Sequence, residues 1–326
     1  MGNKLNIANS DLIEGRVIKN TGSAYVVKTS DGQELPCRIK GNFRIKGIRT
    51  TNPVAVGDIV KLIHASDDAY YIKEIAPRKN YIIRRASNLS KESHILAANI
   101  DQAILVASIF NPETPLTFID RFLATAEAYS IPAIIVFNKT DLWTPEIKGY
   151  ALELKDIYEK IGYDVIFTSA LSSQGVKDLK MATSNKITLL AGNSGVGKSS
   201  LINSLIPGLS LRTGEVSDIH HTGTHTTTFS EMIPLPEGGE IIDIPGVKGF
   251  GMIEFQSSEV GHYFPEIFKK SLNCRYDDCR HTGEPGCAVE KAVEEGEISP
   301  SRFNSYLSIM EEVCGNKGDD KYRKPF

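Results

Sequence analysis

Apolar positions follow two periods along this chain. From Leu12 to Ile75, short β-type runs alternate with turn residues: Gly15–Lys19, Ala24–Lys28, Gln33–Ile39 after the Asp31-Gly32 turn, Ile59–Ile63 after Gly57-Asp58, and Tyr70–Ile75. Five such runs predict a small closed barrel, with an oligonucleotide-binding (OB) barrel the leading candidate. Pro77 to Lys91 reads as a linker. From Asn99 the texture changes. Asp101–Ala107 is a continuous apolar run of the buried-strand type, after which Leu116, Ile119, Phe122, Leu123 and Ala126 recur at helical spacing. Ala133–Phe137 is the next buried strand, and Ile147, Tyr150, Leu154, Ile157 and Ile161 mark a helix that stops at Gly162. Strand and helix in alternation predict a parallel α/β sheet. A last helix starts at Ser299-Pro300 and carries Phe303, Tyr306, Leu307, Met310 and Val313 on one stripe.

Length and charge add bounds. The chain has 326 residues, enough for two or three domains, and a net charge of -3. Contact with nucleic acid therefore depends on local patches. Leu35 to Gly57 is such a patch: it lacks acidic residues and carries Arg38, Lys40, Arg44, Lys46 and Arg49 with Phe43. A basic loop beside an aromatic ring suits phosphate contact and base stacking, and equally suits a solvated loop. The polar N-terminus and the lack of a bilayer-length apolar stretch lead to the expectation of a cytoplasmic protein.

The chemistry centres on Gly192-Asn193-Ser194-Gly195-Val196-Gly197-Lys198-Ser199, followed by Ser200, which has the spacing of a phosphate-binding loop. Lys186–Ala191 before it reads as a strand, and Leu201, Ile202 and Leu205 after it as one face of a helix. Glycines bring main-chain N–H groups close to phosphate oxygens, and the helix start adds positive potential. Lys198 is expected to reach the β- and γ-phosphates and Ser199 to ligate Mg²⁺.

Asn138-Lys139-Thr140-Asp141 follows directly from the strand Ala133–Phe137, so in a parallel sheet it lies at a carboxyl end, where ligands bind. The Asp141 carboxylate accepts from guanine N1–H and the 2-amino group. Asn138 and Lys139 are expected to brace the loop and cover the base, and a main-chain N–H of Thr168-Ser169-Ala170, after the apolar run Val165–Phe167, to meet the guanine carbonyl. Further on, Gly223–Thr228 reads as a first switch, or as a turn-rich connector; as a switch, one of Thr226, Thr227 and Thr228 ligates Mg²⁺, with Thr227 the candidate taken. Ile241–Gly246 is a strand ending in Asp-x-x-Gly, with Asp243 for the ion and the Gly246 N–H for the γ-phosphate. Val247 stands where many GTPases place a water-orienting glutamine. Slow unaided hydrolysis is expected. His225 is the candidate for aiming water, with packing or RNA contact as its other reading.

Cys274, Cys279, His281 and Cys287, spaced C-x4-C-x-H-x5-C, supply three thiolates and an imidazole, the donor set of a closed structural zinc site. Cys37 reads as buried packing and Cys314 as a core cysteine.

The motifs are those of a GTPase in an unusual order, with the base-reading set ahead of the phosphate loop, as in a circular permutation. Together with the barrel and the cysteine–histidine cluster, they make the chain resemble the bacterial ribosome small-subunit-dependent GTPase A family over nearly its whole length. The resemblance implies three parts: an OB-fold RNA-binding barrel at 1–80, a circularly permuted GTPase domain at 81–258, and a mainly helical zinc-binding module at 259–326. It implies a ribosome-biogenesis GTPase that binds the small subunit and its rRNA and uses GTP, Mg²⁺ and one zinc ion; with no coiled-coil or exposed apolar stripe in the sequence to ask for a dimer, a monomer is expected. The competing reading is a GTP-dependent RNA-binding switch with negligible turnover. Two residues depart from the family pattern: Ile244 for threonine, and Thr224 for arginine before His225.

Overall fold

In a computed structural model, the structure describes residues 12–22, 24–39, 53–65, 68–85, 93–209, 230–243 and 255–316. Five short strands come first: β1 (Ile13–Asn20), β2 (Tyr25–Thr29), β3 (Glu34–Ile39), β4 (Ile59–His64) and β5 (Tyr70–Ile75). A hairpin of β6 (Tyr81–Arg85) and β7 (Ser93–Ala98) follows. Next in order are β8 (Gln102–Ala107), α1 (Leu116–Ala128), β9 (Ala133–Phe137), α2 (Pro145–Ile161), β10 (Asp164–Phe167), α3 (Val176–Thr183), β11 (Ile187–Ala191) and α4 (Lys198–Leu205). β12 (Ser230–Pro234) and β13 (Glu240–Asp243) precede three helices, α5 (Pro265–Ser271), α6 (Ala288–Glu294) and α7 (Pro300–Asn316). None of the described helices is long and apolar enough to cross a membrane.

The described residues form two compact units, the first drawn from within 1–101, 183–189 and 218–246, the second from within 102–182, 190–217 and 247–326. In the first, the five predicted strands close on themselves: β1 pairs with β2, β2 with β3, β3 with β5 in parallel, β5 with β4, and β4 back with β1. Alternation along the strands sends Val17, Tyr25, Val27, Cys37, Val60, Leu62 and Ile72 inward to one core. Cys37 packs as expected; burial pushes its thiol up to about 12. The span read as a linker carries a strand, β6, which pairs with β7, and Val56 bridges Ala97. β12 and β13 form an antiparallel pair in this unit, and the first two residues of β12 pair with the end of β1. Lys40, Phe43, Arg44, Lys46 and Arg49 lie outside the described residues.

The second unit contains the parallel strands β8, β9 and β10, in register Ile104↔Ile134 and Ile135↔Val165. All of β8 is buried, as a strand covered on both faces requires. α2 is bounded as its ends demand: the Thr144 side chain accepts from Ile147 N, Pro145 occupies the first turn, and Gly162 closes the helix at φ 116°.

Two helical faces turn away from the predicted stripes. On α2, Tyr150 is exposed and Tyr158 is buried, because the Tyr158 hydroxyl finds the Asp120 carboxylate at 2.9 Å. On α7 the deepest residues are Arg302, Ser305, Tyr306, Ile309 and Met310, with Phe303 and Leu307 at the edge. Arg302 is 1% exposed; it donates to Asp120 Oδ1 at 2.7 Å and to both Glu266 oxygens at 2.7 and 3.2 Å, and lies 4.6 Å from the Phe264 ring centre. This buried triad fastens α1 to α5 and α7.

Candidate nucleotide site and cysteine–histidine cluster

The phosphate loop leaves β11 and enters α4 as the sequence predicts. Its glycines serve a close backbone approach. Gly192 has φ 145°, and a Cβ there would lie 2.2 Å from the Val106 carbonyl oxygen. A Cβ on Gly197, at φ 96°, would lie 2.3 Å from Asn138 Nδ2. Val196 is fully buried and anchors the loop. Lys198 folds its ammonium back onto the Gly192 and Asn193 carbonyls, at 2.7 and 2.8 Å. Ser199 and Ser200 occupy the first turn of α4, with Ser194 and Gly195 in the preceding bend.

The turn Asn138–Asp141 reaches the same loop. Asn138, at the end of β9, is 2% exposed; its Nδ2 donates to Val196 O at 2.9 Å and its Oδ1 accepts from Thr168 Oγ1 at 3.0 Å. This side chain ties three segments together: β9, the turn after β10, and the phosphate loop. Lys139 adopts φ 67° and donates to Asn111 O at 2.5 Å. Thr140 N donates to Thr168 O, and its hydroxyl to Gln174 Oε1 at 2.9 Å. Asp141 is exposed and accepts from the hydroxyl of the buried Ser169. Ala170 follows in the same turn. The Asp141 carboxylate and the turn after β10 are thus held together before any base arrives.

Two supports were not evident from the sequence: Asn111 and Gln174. Each comes from the far end of another strand or turn, so no local spacing marks it. Asp243 is the last residue of β13, opposite Glu231 in the register with β12. His225, Thr227, Gly246 and Val247 lie outside the described residues.

Cys274, Cys279, His281 and Cys287 do converge. Their ligand atoms all lie within 4.8 Å of one another. His281 is buried at φ 58°, its Nδ1 3.3 Å from Cys287 Sγ and 3.7 Å from Cys274 Sγ. Main-chain N–H groups of Ala288 and Glu290 donate to the sulfurs of Cys274 and Cys287, at 3.3 and 3.4 Å. Such donors favour thiolate over thiol. Without a cation, burial and the neighbouring sulfurs push Cys279 up to about 12. Three sulfurs and one imidazole nitrogen fit a zinc-type cation that displaces the protons.

A family model described as RsgA GTPase matches residues 75–253, and one described as RsgA N-terminal domain matches residues 14–72. The chain belongs to the RsgA GTPase family. Among relatives in that family, the small ribosomal subunit biogenesis GTPase RsgA of Bacteroides fragilis is 56% identical over 96% of this chain and 100% of its own. That of Porphyromonas gingivalis is also 56% identical, with the same coverage. YjeQ from Thermotoga maritima shares the fold at a TM-score of 0.77 and 33% identity, over 94% of this chain and 100% of its own. YloQ, described as a circularly permuted GTPase, matches at a TM-score of 0.74 and 31% identity, over 97% and 99%. RsgA membership makes the chain a GTP hydrolase that works with GTP, GDP and Mg²⁺, and its permuted motif order is the family's own.

Proposed function

We propose that this chain serves small-ribosomal-subunit biogenesis, binding the subunit through its rRNA and hydrolysing GTP when the subunit stimulates it. The observation that carries the reading is the Asn138 side chain, which joins the base-reading turn to the phosphate loop, in a chain whose relatives are named for that role. A switch without turnover is not favoured, because the family it would belong to is one of GTP hydrolases.

The roles follow from the chemistry of each group. Main-chain N–H groups of Gly192 to Ser200 hold the phosphates, and Lys198 swings from its carbonyl partners to the β- and γ-oxygens. Asp141 reads guanine, Lys139 covers it with its stem, and Ser169 and Ala170 meet its carbonyl. The Ser199 and Thr227 hydroxyls and Asp243 would hold Mg²⁺, which supplies charge neutralisation at the phosphates. The Gly246 N–H contacts the γ-phosphate and His225 orients the attacking water. Cys274, Cys279, His281 and Cys287 would hold one zinc ion, whose role is structural. By function the chain divides into the barrel to residue 80, the GTPase domain to 258 and the metal-binding module beyond, and it acts as a monomer.

Steady-state GTP hydrolysis with and without purified small subunits tests this, repeated with His225→Ala. Stimulation on the order of 10³-fold or less fits a partner completing a site without glutamine. His225→Ala is expected to abolish the stimulation while GTP binding survives. No stimulation of the unaltered protein would return the switch reading.

A further inference from the structure

β1 is shared between two partners. Its first four residues pair with β4, and its last two with β12, in the register Lys19↔Glu231 and Asn20↔Ser230. A bulge between Val17 and Lys19 in the β1–β2 register marks the change, as bulges do where a strand end is re-aimed. The joint is small, but it is pinned on both sides. Lys19 Nζ lies 3.3 and 3.2 Å from the two Glu231 oxygens. Asn20 Nδ2 donates to Val54 O at 3.0 Å, and its Oδ1 accepts from Gly22 N at 2.8 Å.

Val54 belongs to a locked turn: Ala55 N donates to Asp58 Oδ2, while Arg78 donates to both Asp58 oxygens and to Pro53 O, all within 2.8 Å. On the other side of the joint, Glu231 stands opposite Asp243. β12 starts two residues after Thr228, the last residue of the candidate first switch, and β13 ends on the carboxylate assigned to Mg²⁺. A row of hydrogen bonds and two ion pairs, Arg78–Asp58 and Lys19–Glu231, thus runs from the Pro53–Asp58 turn of the barrel through Asn20 and Lys19 to the strand ends at Ser230 and Asp243.

We infer that Lys19 and Asn20 are positioning residues for GTP hydrolysis, coupling the barrel to the two strand ends that carry the switches. The coupling is reciprocal by linkage: a partner that grips the barrel biases those strand ends, and the nucleotide state biases the barrel turn. This deepens the reading above and rests on it for the roles of Thr227 and Asp243.

The test uses the full chain. Lys19→Glu and Glu231→Lys, each at a half-exposed position, are compared with the doubly reversed variant. Each single variant is expected to lose roughly fivefold or more of the subunit-stimulated kcat, with KM for GTP and the unstimulated rate held within about twofold. The double variant is expected to recover the loss. Single variants at full stimulated kcat, or a double variant as impaired as either single, would overturn the inference. A second measurement needs no subunits: amide hydrogen exchange at Val54–Asp58 with a non-hydrolysable GTP analogue against GDP. The unaltered protein should differ between the two nucleotides and Asn20→Ala should not; identical exchange in the unaltered protein overturns the coupling. If subunits fail to stimulate the unaltered protein, the functional reading fails, and the exchange experiment decides the coupling alone.

Discussion

Asp141 is a side chain whose job depends on what its neighbours leave free. It accepts one hydrogen bond from Ser169 and stays exposed, so acceptor capacity remains for a base. Asp141→Asn replaces an acceptor by a donor that faces guanine N1–H, while xanthine, with a carbonyl at position 2, accepts from it. A hydrogen bond to a charged group contributes about 1.5–3 kcal/mol, so GTP affinity should fall roughly 10–100-fold or more and xanthosine triphosphate affinity should rise. Trp143 reports either outcome: it is the chain's single tryptophan, two residues from Asp141 and edge-on to Phe167 at 5.0 Å. A fluorescence titration in which the variant keeps its GTP affinity would remove Asp141 from base reading. At this scale the sequence was most informative, because Gly192–Ser199 and Asn138–Asp141 are local spacings. It was silent on Asn111 and Gln174, whose partners are 28 and 34 residues away.

The elements were legible wherever one face meets a core and one meets water. The β1–β5 barrel, α1 and α4 follow their patterns, whereas α7 presents Arg302 inward, a residue that hydropathy places outside. Three partners explain it: Asp120 and Glu266 neutralise the guanidinium, and the Phe264 ring covers its face. Breaking such a buried group costs far more than a surface pair. Arg302→Met leaves two carboxylates without their cation and is expected to lower unfolding free energy by about 3–5 kcal/mol, read from a denaturant midpoint. Arg121→Ala, which removes the ion pair with the exposed Glu312, should cost less, about 1 kcal/mol. The cysteine–histidine cluster sits among the same helices: Cys287 caps α6, and Tyr306 of α7 lies 5.9 Å from the His281 ring. Stripping the metal with a chelator should therefore strip hydrogen-exchange protection from α6 and the N-terminal half of α7, and zinc alone should restore it. Protection unchanged by chelation would argue against a structural ion.

At the scale of the whole chain, what the sequence could not convey was which distant strands meet. β1 and β12 are separated by about two hundred residues, and their pairing leaves no periodic trace; it appears only in the register of Lys19 with Glu231. Removing residues 12–75 would therefore do more than delete a barrel. It would uncover the start of β12 at Ser230 and Glu231, whose N–H and C=O groups then seek another strand. The shortened protein is expected to self-associate in light scattering at concentrations where the full chain does not, and a dispersed truncation would show that the edge is otherwise covered.

Chain order has a further consequence during synthesis. The residues proposed to read the base, Asn138–Asp141 and Thr168–Ala170, precede Gly192–Ser199, so they leave the translating ribosome first, by an interval of about a few seconds at usual elongation rates. No nucleotide can template that half, since the loop that grips phosphate does not yet exist. That half is expected to fold without nucleotide, and the Lys198 ammonium, closed on the carbonyls of Gly192 and Asn193, gives the loop internal partners before its first ligand arrives.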